Sequence, residues 1–334
     1  MNRLVATALL AIGLAACAKN KNQPPVASAS EAASEGTTAA AGEAGAAAVA
    51  AEPTPPPPPP APEPVVAYKD MSVPESVLYD EKEDCYLVSN INGEPGAKDN
   101  NGFISKLGPD GAVIAMKWIE GGKGKLKLDA PKGMGIVADT LYVADIDTVR
   151  MFNRKTGAAK GEIKVKGSTF LGDITTSPDG RVFVSDIAIT FADGKATPTG
   201  TDAVYLINKA KKVIPLSKST DLGGPNGLVV VDNKLWVVSM LSGELYSLDA
   251  AKPGARGDTQ KLPKGGLDGI VSTPNGIMIS SWELGGVMKG TLGGEFTPVL
   301  EQIAASADIG FDSKRNRILV PRFMNNSVEV YSVQ

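Results

Sequence analysis

From about Pro74 to the C-terminus, short apolar runs alternate with Gly-, Asn- and Asp-bearing turns, and the alternation repeats six times. The segments align as PESVLYDEKEDCYLVSN (from Pro74), PKGMGIVADTLYVAD (from Pro131), GDITTSPDGRVFVSD (from Gly172), PNGLVVVDNKLWVVS (from Pro225), LDGIVSTPNGIMISS (from Leu267) and ADIGFDSKRNRILVP (from Ala307). Each carries a polar anchor, an apolar run, a tight turn, a second apolar run, and usually a small or acidic residue. The anchors are Glu75, Lys132, Asp173, Asn226, Asp268 and Asp308, spaced 57, 41, 53, 42 and 40 residues apart. That period is one four-stranded blade of a β-propeller. The pattern therefore predicts an all-β, six-bladed β-propeller over residues 67–334.

Turn chemistry supports strand pairing inside each repeat. Ser177-Pro178-Asp179-Gly180, Asp232-Asn233-Lys234 and Thr273-Pro274-Asn275-Gly276 read as hairpins between the first two strands of their blades. Runs such as Leu141-Tyr142-Val143 and Leu235-Trp236-Val237-Val238 suit sheets covered on both faces. Only 26 residues follow Asp308, enough for three strands. The fourth strand of the last blade is expected from Val65 to Lys69, which would close the ring and remove an exposed edge.

The N-terminal residues read as an address rather than as fold. Arg3, the apolar stretch Leu4 to Leu14, and Leu14-Ala15-Ala16-Cys17 have the order of a secretory signal, and the stretch is too short to span a bilayer. The closing tetrapeptide resembles the lipobox of bacterial lipoproteins. That resemblance implies lipidation of Cys17, a signal peptide of residues 1–17 and a cell-envelope location, with the outer membrane favoured by Ala18. Residues 18–66 are rich in Ala, Glu, Ser, Thr and Pro and hold too few large apolar side chains to fold. They are expected to form a tether, with Pro55 to Pro60 in polyproline II. The dozen Pro-rich residues would reach roughly 37 Å at ~3.1 Å per residue.

Charge and residue counts narrow the chemistry. Net charge is 34 − 37 = −3 without a basic cluster, which argues against nucleic acid as a partner. Cys17 and Cys85 are the only cysteines, and Cys85 beside Tyr86-Leu87-Val88 reads as a small core residue. The chain has no histidine, which removes Ser-His-Asp triads, His-Glu-x-x-His zinc sites and His-dyad hydrolases. Four anchors are carboxylates and one is a lysine. Carboxylates converging on a channel mouth must raise their pKa values or recruit a cation, and oxygen donors without His or Cys suit a hard ion.

On these residues the chain resembles the gluconolactonase/regucalcin family of six-bladed propellers. Glu75 in Pro74-Glu75-Ser76, Asn226 in Gly224-Pro225-Asn226-Gly227-Leu228 and Asp268 in Leu267-Asp268-Gly269-Ile270 fall on the family's three metal ligands, in the right blades. The resemblance implies one divalent cation, with Ca²⁺ favoured and Mg²⁺, Mn²⁺ or Zn²⁺ as alternatives. It implies a lactone as substrate, with Asp268 or Asp173 as the general base. Lys132, Asp308 and Arg322 are candidate substrate-binding residues. Lys132 could instead plug the channel by pairing with Asp173 or Asp308, and Arg322 could pair with Glu75 or Asp308. The family's Arg-Phe-Asn-Asp run in blade three is here Phe170-Leu171-Gly172-Asp173, so its substrate Arg and its Asn are missing. A membrane-tethered metal-dependent lactonase-like hydrolase therefore stands beside two other readings. One is a non-catalytic envelope propeller that binds a protein, peptide or glycan, and the other a structural role in which the charges only lock the blades.

Overall fold

The computed structural model describes residues 61–192 and 195–333. The signal segment, Cys17 and most of the Pro-rich stretch lie outside the described residues. Six four-stranded antiparallel sheets follow one another along the chain as the blades of a propeller. Their innermost strands are Pro74–Asp80, Pro131–Val137, Leu171–Thr176, Pro225–Val231, Leu267–Thr273 and Gly310–Asp312. The last blade takes its outermost strand from the start of the domain, Val66–Tyr68, which pairs antiparallel with Ser327–Ser332. The ring closes as the count of residues after Asp308 requires. Tyr68, 2% exposed, donates its hydroxyl to the Gly108 carbonyl, and the Tyr86 hydroxyl donates to Asp312 at 2.7 Å, which ties blade one to blade six.

Apolar residues from facing blade surfaces fill the spaces between sheets. Leu171, Ile174, Val182 and Val184 of blade three meet Ala144, Val149 and Met151 of blade two in one such layer. Cys85 sits in the next, among Leu87, Ile104 and Met134. Burial pushes its thiol up to about 11, as for an inert core cysteine. Each turn expected between first and second strands is present. At Asp232 and Asn233 both residues take positive φ (48° and 60°), the backbone of a tight hairpin that Asp and Asn tolerate.

The pairing of first and second strands slips where the anchors lie. Register shifts fall between Pro74 and Ser76, Pro131 and Met134, Leu171 and Ile174, Pro225 and Leu228, and Leu267 and Ile270. Each bulge turns its anchor out of the pleat and toward the propeller axis. Serines of the second strand accept from backbone N–H groups freed there. Ser89 Oγ accepts from Ser76, Ser185 Oγ from Asp173 and Ser280 Oγ from Gly269, at 2.9, 2.9 and 2.8 Å.

Glycines beside the anchors let adjacent inner strands touch. A Cβ on Gly133 would lie 2.4 Å from the Asp173 Cα, one on Gly227 would lie 2.2 Å from the Asp268 carbonyl oxygen, and one on Gly269 would lie 2.4 Å from the Ile309 nitrogen. None of these contacts is with a movable side-chain end, so a methyl group would push two blades apart. Gly269→Ala is therefore expected to lower the melting temperature by roughly 5 °C or more. Gly254→Ala, where the space is open, should melt close to wild type. Equal melting of the two variants would contradict this packing.

Candidate functional site

The five bulges, and in blade six the residues just ahead of the strand Gly310–Asp312, bring the six anchors into one buried ring, none of them more than 8% exposed. The ring has two tiers. Glu75, Lys132, Asn226 and Asp268 form the floor of a cavity at the channel mouth, whereas Asp173 and Asp308 line the channel behind it. The mouth cavity holds about 60 Å³. Above its polar floor the walls are apolar, with Ile91, Phe170, Ile187, Met240, Trp282 and Phe323 among them.

At the floor, the Asn226 amide donates to Asp268 Oδ1 at 2.9 Å and the Trp282 indole N–H donates to Asp268 Oδ2 at 2.6 Å. Burial pushes the Asp268 carboxyl up to about 6, against those two hydrogen bonds, which favour its charged form. Glu75 Oε2 is buried and has no hydrogen-bond partner. Burial first, and then the charge on Asp268, hold the Glu75 carboxyl well above the usual carboxylate range, with Lys132 acting in the opposite direction. Lys132 makes no ion pair within 4 Å with Asp173 or Asp308. Its ammonium donates to the Ala130 carbonyl at 2.9 Å and lies 4.2 Å from the centre of the Phe170 ring. Burial pushes this amine down to about 8, opposed chiefly by Glu75.

Behind the ring, Asp173 accepts from the Ile174 and Leu228 backbone N–H groups at 2.6 and 2.8 Å, and Asp308 accepts from the Ser76 hydroxyl. Burial pushes Asp173 up to about 7. Burial, with the charges on Asp173 and Glu75, holds Asp308 well above the carboxylate range. Arg322 does not join the ring. Its guanidinium pairs with Glu329 of its own blade and donates to the Ala304 carbonyl at 2.9 Å, rather than reaching Glu75 or Asp308. Asp145 and Asp186, at the ends of second strands, accept from backbone N–H groups of Asp129 and Ala130, and of Thr169, Phe170 and Ala188. They hold the loops leading into the inner strands.

Blade three carries an element that the repeat does not announce. Ile189–Ala192 and Lys195–Pro198 form a separate two-stranded hairpin between its second and third strands. The hairpin lays Ile189 and Phe191 over the mouth, with Phe191 against Phe170 at 5.0 Å between ring centres. The 53-residue spacing after Asp173 was the available sign of extra chain here. The bulge serines were also visible as Ser89-Asn90, Ser185-Asp186 and Ser280-Ser281, one residue before the second-strand ends.

A carboxyl whose pKa is raised by folding contributes stability that is full below its unfolded value near 4. That contribution is lost as pH rises through its folded value. With Asp173 pushed up to about 7 and Asp308 also raised, the ring should destabilise the cation-free protein progressively as pH climbs from about 4 to about 7. Asp308→Asn keeps an acceptor for Ser76 but removes one ionisable group. Its melting temperature at pH 8 is expected to exceed wild type by roughly 2–4 °C, with the difference shrinking towards about pH 3.5. A lower melting temperature for Asp308→Asn at pH 8 would contradict the assignment.

No protein-family model matches the sequence, and no curated protein matches it. Solved structures do match in fold. A gluconolactonase of Xanthomonas campestris aligns over 79% of this chain and 88% of its own, with a TM-score of 0.58 at 15% identity. A luciferin-regenerating enzyme aligns over 79% and 93%, with a TM-score of 0.56 at 14% identity. A chain of a nidogen/laminin complex aligns over 78% and 84%, with a TM-score of 0.54 at 15% identity. At these identities the likeness is one of architecture, and the chain shares its six-bladed propeller with enzymes and with a component of a protein complex alike.

Proposed function

We propose that the chain is a divalent-metal-dependent lactonase-like hydrolase whose site is the mouth cavity. The observation that carries this reading is the unpartnered Glu75 Oε2, buried on the same floor as the Asn226–Asp268 pair. An orphaned buried carboxylate oxygen beside a second carboxylate calls for positive charge, and the Lys132 ammonium is held elsewhere by Ala130 and Phe170. Among the described residues no three His, Cys, Asp or Glu side chains converge as a metal cluster. A cation at this floor therefore needs an amide oxygen as a donor, which Asn226 can supply. Glu75, Asn226 and Asp268 fit a hard ion of the Ca²⁺ type by donor chemistry.

A bound ion supplies a Lewis acid that polarises a lactone carbonyl and offsets charge on its oxygen. Asp268 is the base, because its carboxylate reaches the cavity and is held in one orientation by Asn226 and Trp282. In its ionised form it can take a proton from water at a carboxylate oxygen. Hydrolysis places the hydroxyl on the carbonyl carbon and the proton on the released ring oxygen, giving a hydroxy acid. Asp173 lies behind the ring and acts on the site through charge alone. The apolar walls keep bulk water out and raise the strength of every charge on the floor. A lipid on Cys17 and a tether that ends before Val65, since Val65 and Val66 pair with the last blade, would hold this domain at the cell envelope.

A second reading has its own support. With the hairpin seated, about 60 Å³ is far less than a sugar lactone needs, and blade three lacks the substrate Arg and Asn of lactonases. Both facts suit an envelope propeller that binds a protein, peptide or glycan without turnover.

Titration calorimetry is expected to show one equivalent of Ca²⁺ or Mn²⁺ bound by wild type and none by Asn226→Ala/Asp268→Ala. Lactone hydrolysis followed by acid release should stop with EDTA and fall about 10²-fold or more in Asp268→Asn. Absence of binding for Ca²⁺, Mg²⁺, Mn²⁺ and Zn²⁺ alike would sink the metal-dependent reading. Full activity in Asp268→Asn would sink the base assignment.

A further inference from the structure

The mouth cavity is polar only at its floor. Glu75, Lys132, Asn226 and Asp268 face one end of any ligand, and the rest of the lining offers almost no hydrogen-bonding group. The wall is aromatic on two sides. Phe170 and Phe191 stand 5.0 Å apart on one, and Trp282 and Phe323 meet edge to face at 5.5 Å on the other. Trp282 has spent its one N–H on Asp268, so it presents only ring surface to a ligand. A polyhydroxylated ligand would lose water from its hydroxyls and find no partners for them along these walls.

The hairpin bearing Ile189 and Phe191 is built as a separate piece. Its two strands pair only with each other and share no ladder with the four-stranded sheet of blade three. It rests on side-chain packing, with Ile189 and Ala196 against Phe170 and Ile187, and Phe191 beside Gly96, where an added Cβ would lie 3.5 Å from the Phe191 side chain. Its removal from the mouth would break van der Waals contacts and no interblade hydrogen-bond ladder. The 60 Å³ of the mouth admits an ion and a few waters. A larger apolar group enters only by replacing the contacts that the hairpin makes with the wall.

We propose that this site selects ligands with an alkyl or aryl body and a single polar acyl head, with Phe191 and Ile189 of the blade-three hairpin as specificity-determining residues. On the hydrolase reading, from which this inference takes its substrate half, the substrates are alkyl- or aryl-substituted lactones or esters rather than sugar lactones. The acyl head lies on the Glu75–Asn226–Asp268 floor, and the body lies between the wall and Phe191 and Ile189, taking over the contacts that these two make with the wall here.

The test uses the whole domain with Ca²⁺ and two independent readouts. Hydrolysis is measured for γ-valerolactone through γ-nonalactone and for glucono-δ-lactone. Binding is measured by calorimetry with 2-pentylcyclopentanone, a ring ketone that cannot be hydrolysed. We expect kcat/KM to climb roughly three- to four-fold for each methylene over the first few added, with glucono-δ-lactone at or below the shortest alkyl lactone. Phe191→Ala should flatten that climb and weaken ketone binding about five-fold or more, while Phe191→Leu keeps most of both. Melting curves of the two variants exclude unfolding as the cause. Ketone binding that depends on Phe191, without hydrolysis of any lactone, would uphold the apolar site and overturn only the hydrolase reading. Preferred turnover of glucono-δ-lactone, or absence of ketone binding in a protein that hydrolyses lactones, would overturn the apolar-ligand inference and leave the hydrolase reading intact.

Discussion

Close approach of the inner strands at the propeller axis is the constraint from which the rest follows. Gly133, Gly227 and Gly269 allow backbone to meet backbone or the neighbouring anchor between blades, and the bulges turn Glu75, Lys132, Asp173, Asn226 and Asp268 inward, where Asp308 joins them from just ahead of its strand. Six blades packed this tightly leave little room for water around four carboxyl groups and one amine. Desolvation is accordingly the first cause of every displaced pKa in the ring. A domain that needed only stability would gain from apolar side chains at these positions. Retention of five ionisable groups on the axis is the physical reason to regard the ring as a site.

The two tiers divide the work. Behind the floor, Asp308 and Asp173 accept from Ser76 and from the Ile174 and Leu228 backbone N–H groups, and burial raises both carboxyls, so this tier meets its demand internally. The floor does not. Asp268 has two donors, Lys132 is turned to Ala130 and Phe170, and Glu75 Oε2 has nothing. The unmet demand lies where the cavity opens, beneath aromatic walls that would strengthen any charge placed there.

Much of this was legible in the chain itself. Anchor spacing specified six blades, the shortage of residues after Asp308 pointed to Val65–Lys69, and the strand found, Val66–Tyr68, lies inside that range. Polar anchors at the same point of each repeat marked the axis because identical positions in a radial repeat meet at its centre. The tiers were not legible, since a one-residue bulge decides which side of the ring a carboxylate faces, and pattern alone does not show how far each bulge turns. Arg322 occupies the repeat position of Asp145 and Asp186, yet Glu329 on the adjacent strand draws it outward. The blade-three hairpin is short and breaks the repeat, so only the long spacing hinted at it. Lys132 was expected to seek a carboxylate, but the Ala130 carbonyl and the Phe170 face lie nearer its ammonium.

The most direct test of the account is anomalous diffraction from crystals of the domain grown with MnCl₂. The account predicts a single strong anomalous peak at the mouth, bounded by Glu75, Asp268 and the Asn226 amide oxygen, with the Asn226 amide turned from its present bond to Asp268. Its central claim would be contradicted by a mouth without a peak, in which Asn226 still donates to Asp268 and Glu75 is satisfied by a proton shared with a neighbour.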